Sequence, residues 1–148
     1  MILIPVKQSE LFKEISSRDL ELLTPLAEAE TFPTGSIIFY QDTLAERVYL
    51  LDQGAVALKT ALSEGLEVTF EMVKKKGSLF GWSALVEPYQ LTATAICLEK
   101  TRVLSFGRKA FNQVLTQHPV LGFKVMRNLC VIIAKRLQRT RRLLVGQI

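Results

Sequence analysis

The stretch GSLFGWSALVEPYQLTATA, Gly77 to Ala95, decides the reading of this chain. Gly77 and Gly81 allow sharp turns, and the stretch looks like a cradle for a phosphate. The side chains do not match that backbone. Trp82 and Leu91 stand where a phosphate cradle would carry charge.

On either side the chain breaks into short β-type runs. ETFPTG, SIIFYQD, RVYLLDQG, AVALKTALSEG and LEVTFEMVKKKG precede the stretch; TATAICLEK and TRVLSF end or follow it. Gly35, Gly54, Gly65 and Gly77 fall between runs, where tight turns need positive φ. Seven or eight strands at this spacing predict a barrel or sandwich over residues 29–107. Before it, Leu11, Phe12, Ile15, Leu20, Leu22 and Leu23 are spaced as in helices, so residues 1–28 are expected to be a helical segment, with Ser16 or Ser17 as a cap. After Phe106, GRKAFNQVLTQ predicts one short helix, and Pro119 opens a long one to about Leu144 within a helical segment over 108–148. The 148 residues suit one domain, 1–148.

Apolar residues make up 49% of the chain, enough for a folded core. The net charge of +5 conceals segregation: residues 1–99 hold 8 Lys+Arg against 14 Asp+Glu, whereas residues 100–148 hold 11 Lys+Arg and no acid. Such asymmetry fits either a basic face for an anionic partner or a solvated face balanced within the molecule or a dimer. Cys97 and Cys130 lack CxxC spacing and read as small core residues. A single histidine, His118, excludes a multi-His metal site and gives no support to a nucleophilic triad. Glu46, Glu64, Glu67 and Glu71 read as solvated rather than as an acid–base pair, so no enzyme is expected. The start MILIPVKQSE is too short for a signal peptide and no apolar run approaches the roughly 20 residues of a membrane span, which predicts a cytoplasmic protein.

Along the last helix Met126, Leu129, Ile133, Leu137, Thr140 and Leu144 recur in steps of three and four, a seam suited to a twin helix. The apolar midsection LCVIIA widens the stripe, so one side can pack on the barrel while the other meets a second chain. A homodimer is expected.

The order of helices, eight short strands and a long closing helix resembles the cyclic-nucleotide-binding domain of bacterial regulators like the catabolite activator protein. Tyr49, the Gly54-Ala55-Val56 turn, Gly77 and Gly81, Ala84-Leu85, Thr92-Ala93 and AKRLQRT carry the resemblance across nearly the whole chain. It implies an eight-stranded jelly-roll-like barrel, or double-stranded β-helix, between N-terminal helices and a long C-terminal helix. It also implies a phosphate-cassette-like segment at 77–93, with Phe80, Gly81, Trp82, Ser83, Ala84, Leu91, Thr92 and Ala93 around the ligand and Thr140 facing the base. In that family the cassette reads Gly-Glu-apolar-Ala, followed by Arg-Ser/Thr-Ala; the carboxylate takes the ribose hydroxyl and the arginine takes the phosphate. Here Trp82 replaces the carboxylate and Leu91 the arginine, while Asp42 replaces a turn glycine.

The expected function is a sensor or regulatory module that does not bind cAMP or cGMP in the family's manner. It has no cofactor other than a cyclic nucleotide or another small ligand, and signals through the dimer helix to a protein partner or separate effector. A ligand-free adaptor and the effector domain of a transcriptional regulator are the alternatives. The basic patch of Lys135, Arg136, Arg139, Arg141 and Arg142 suits an acidic protein, a membrane surface or phosphate backbones. Without a helix-turn-helix after it, DNA reading is not expected, and the chain is expected to stand alone.

Overall fold

The computed structural model describes residues 3–63 and 65–146. The chain opens with α1 (Leu3–Gln8), a 3-10 turn at Glu10–Phe12 and the single-turn α2 (Ser17–Leu20). Ser16 is the cap, its hydroxyl accepting from the Asp19 amide. Leu11, Phe12, Ile15, Leu20 and Leu23 are buried as their spacing predicts, while Leu22 turns outward.

Eight strands follow: β1 (Glu28–Phe32), β2 (Ile37–Phe39), β3 (Arg47–Gln53), β4 (Val56–Ser63), β5 (Leu66–Val73), β6 (Leu79–Phe80), β7 (Thr94–Cys97) and β8 (Thr101–Gly107). They form two four-stranded antiparallel sheets in the orders β1-β8-β3-β6 and β2-β7-β4-β5. This is the mainly-β, eight-stranded roll that the resemblance implies, and its strand count is the one the run spacing predicts.

The two-residue alternation of strands explains why β3 and β8 read as continuous apolar runs. Val48, Leu50, Leu104 and Phe106 face the helices; Tyr49, Leu51 and Val103 face the opposite sheet. Both faces of these central strands are therefore buried. The helical side centres on Phe12, Phe106 and Phe111, whose rings pack at 5.2–6.4 Å. Between the sheets Tyr49 stacks on Phe80 at 5.2 Å. Each fully buried side chain of this size contributes about 1.5–3 kcal/mol of transfer free energy.

After the roll come α3 (Arg108–Gln117) and α4 (Pro119–Gly146). Pro119 is the first helical residue of α4, where its missing N–H costs nothing. The first half of α4 buries Leu121, Val125, Leu129 and Ile132. Asn128, on the same face, donates from Nδ2 to the carbonyls of Leu11 and Lys13, both at 2.9 Å, and ties α4 to the N-terminal segment. Two expectations for this helix change. Leu129 turns into its own domain's core, 1% exposed, rather than outward, and Cys130 is exposed rather than in the core.

Candidate ligand pocket

Gly81 adopts φ +74, ahead of a 3-10 turn at Trp82–Leu85. A Cβ there would lie 3.0 Å from the Tyr49 ring and 3.2 Å from Phe39, so both conformation and space favour glycine. Opposite, the segment 90–93 is fixed by its backbone: the Asp42 amide donates to the Leu91 carbonyl at 2.8 Å and the Leu91 amide to the Thr43 carbonyl at 2.9 Å. Asp42 itself holds φ +67, keeping the left-handed turn without glycine. Thr60 donates to the Thr92 carbonyl at 3.0 Å. These bonds and the Gly81 turn fix the backbone on both sides of the candidate pocket.

Side chains line it. The space bordered by Phe39, Leu58, Phe70, Trp82, Leu91 and Arg136 measures about 60 Å³. Gly81, Ser83, Thr92 and Ala93 also border it. Leu91 is buried, and over the Trp82 ring lies the Arg136 guanidinium, 4.7 Å from the centroid. Arg136 also donates through Nη2 to the Leu79 carbonyl, whereas its buried Nη1 has no hydrogen-bond partner. Burial lowers its pKa, Glu71 pushes it back up, Arg139 lowers it and Glu10 raises it. Starting from a guanidinium, the group stays charged at neutral pH.

Other expected site residues sit elsewhere. Phe80 is fully buried under Tyr49, and Ala84 is in the helical core with its carbonyl accepting from Asn112. Burial raises the Tyr49 pKa, with Arg47 opposing and Glu30 assisting. Outside the pocket, the Tyr89 ring takes the Arg108 guanidinium at 4.7 Å. Thr140 donates to the Arg136 carbonyl at 3.0 Å and does not border the pocket. The long helix does supply a pocket residue, one turn earlier, at Arg136.

The basic patch divides accordingly. Lys135 pairs with Glu10 at 3.5 Å and Arg139 with Glu71 at 3.3 Å, so Glu71 is paired rather than solvated. Glu67 likewise meets Lys59 at 3.8 Å; Glu46 is exposed, and Glu64 lies outside the described residues. Arg141 and Arg142 are exposed, as is His118 at the end of α3. Among the described residues no cluster of three potential metal ligands exists, and no helix is long and apolar enough to cross a membrane.

With the roll, the cassette turn and the closing helix in place, residues 29–118 match the profile of the cyclic nucleotide-binding domain. The chain belongs to this family. It is 29% identical over 133 residues to the cyclic AMP receptor protein of Thermus thermophilus, covering 90% of this chain and 59% of that protein. It is 31% identical over 121 residues to the global nitrogen regulator of Synechocystis sp., covering 80% of this chain and 51% of that protein. The crystal structure of the Thermus thermophilus catabolite activator protein superposes with a TM-score of 0.77 at 27% identity, covering 94% of this chain and 63% of that one. This cyclic nucleotide-binding domain spans a little over half the length of the curated relatives it matches.

Proposed function

We propose that the chain is a non-catalytic regulatory module whose nucleotide pocket is closed by its own side chains, and whose long helix passes its state across a homodimer. The first part rests on the 60 Å³ left beside Trp82, Leu91 and Arg136. Small-molecule sites measure about 300 Å³ or more, whereas one water takes about 30 Å³. The pocket thus falls several-fold short of the room a nucleotide needs. With Leu91 in place of a phosphate-binding cation and Trp82 in place of a carboxylate, each lost charged contact costs about 2–5 kcal/mol, roughly thirtyfold to several thousandfold in affinity.

A thermal-shift series with cAMP and cGMP tests this. A ligand at 100 times its Kd stabilises the native state by about 2.7 kcal/mol, a rise of several degrees for a domain this size. No rise is expected up to millimolar nucleotide; a rise of that size would overturn the reading.

The surface of α4 supports the dimer. Phe123, Cys130, Leu137 and Leu144 recur every seven residues and are all exposed, Phe123 and Leu144 by about two thirds. Met126, Ile133 and Thr140, half-buried beside them, complete a three-four alternation. Sedimentation should give a dimer that Leu137→Glu dissociates; a monomer at every concentration would contradict this part.

A further inference from the structure

A second cavity, much larger than the first, opens where the β5–β6 loop meets the end of α1 and the middle of α4, and it measures about 350 Å³. Its lining is strongly one-signed: Lys74, Lys75, Lys76, Lys135, Arg136 and Arg139 face only Glu10 and Glu71 as carboxylates. Both carboxylates are already paired, with Lys135 and Arg139, and Lys76 is held by Asp52 at 3.1 Å. Lys74 and Lys75 have no ion-pair partner among the described residues and are exposed. Arg136 borders this cleft as well as the small pocket, and its Nη1 is buried without an acceptor. A buried unpaired donor is rare in folded proteins, and the convergent cations of the cleft favour an anionic ligand.

We propose that this cleft is a binding site for a small polyanion carrying two or more phosphoryl groups, held by Lys74, Lys75 and the Arg136 guanidinium. The cleft has the volume of a small-molecule site, and several converging cations favour multiple charge over a single carboxylate. Because the same guanidinium covers Trp82, an anion drawing on Arg136 changes the environment of Trp82. Occupancy of the cleft is thereby linked to the wall of the small pocket. The inference stands apart from the closed-pocket reading, since cyclic nucleotides test one cavity and inorganic polyphosphates the other.

Trp82 is the only tryptophan in the sequence, so its fluorescence reports on Arg136 directly. Inorganic pyrophosphate and tripolyphosphate are titrated into the full chain at about 0.15 M salt, where exposed charges are screened over about 8 Å, with calorimetry alongside. Saturable binding accompanied by a change in Trp82 emission is expected. The double variant Lys74→Glu/Lys75→Glu should weaken it at least about tenfold. The double variant Arg141→Glu/Arg142→Glu, with the same charge change on α4 but outside the cleft, should leave it within about twofold. Circular dichroism and thermal unfolding confirm that both variants fold. Absence of binding, equal weakening by both variants, or binding that leaves Trp82 emission unchanged would each overturn the proposal. A duplex DNA that binds while polyphosphates do not would also overturn it and assign the surface to nucleic acid.

Discussion

Replacing Asn128 by alanine removes the polar link between α4 and the N-terminal segment. Its Nδ2 donates two bonds of 2.9 Å, one to the buried Leu11 carbonyl and one to the part-buried Lys13 carbonyl. Each bond contributes about 1 kcal/mol net, and a buried acceptor left without a donor costs a further 1–3 kcal/mol. Water reaches the Lys13 carbonyl more easily, so the larger penalty falls on Leu11. The total is about 3–5 kcal/mol, which at about 2–4 °C per kcal/mol lowers Tm by roughly 6–20 °C. Urea unfolding followed by circular dichroism should show the lower midpoint with an unchanged slope, since the exposed area is the same. Asn128→Asp supplies no N–H and sets a carboxylate against two carbonyls, so it should cost at least as much at neutral pH. A loss below about 1 kcal/mol, or an aspartate variant as stable as the parent, would refute the assignment of this side chain as the link.

Gly54 has φ +107, and a Cβ there would lie 2.6 Å from the Lys100 carbonyl oxygen and from the Thr101 Oγ1. Gly54→Ala is therefore expected to cost on the order of 3 kcal/mol or more, measured by thermal unfolding. In a parallel pairing of α4, the exposed Cys130 meets its twin across the two-fold axis. Copper-catalysed oxidation should give a disulfide-linked dimer that Cys130→Ser abolishes and Cys97→Ser does not. Cys97 should stay unreactive, because burial raises its thiol pKa despite the opposing hydrogen bond with Thr101, so the thiolate is scarce at pH 7–8 as well as shielded.

The roll was legible because local signals agree with one another. Turn glycines at 35, 54, 65 and 77 all take positive φ, and the apolar runs of β3 and β8 match strands buried on both faces. Pro119 likewise marks the first residue of α4. The turn at Gly81 was legible as well. What lines the pocket beside it was only half legible. Leu91 and Trp82 stand out against the family pattern, but Arg136 meets Leu79 from 57 residues away and reads in the sequence as one more cation in a basic run. Only the phase of α4 against the roll distinguishes it from Arg141 or Arg142. The same phase separates Leu129 from Cys130, since one residue turns a helix by about 100°, enough to move a side chain from core to surface. An alternating pattern wide enough to cover two faces leaves that rotation undetermined until the packing against Leu11, Phe111 and Leu121 is known.

The closed pocket is tested most directly by calorimetric titration of cAMP and cGMP into the parent protein beside a Trp82→Glu/Leu91→Arg double variant. On the proposed reading, restoring the two charges and removing the Trp82 platform that holds Arg136 should recover nucleotide binding, while the parent stays silent. Micromolar binding by the parent would contradict the account, because it would show that the pocket opens and that the cradle holds the phosphate without a cation from position 91.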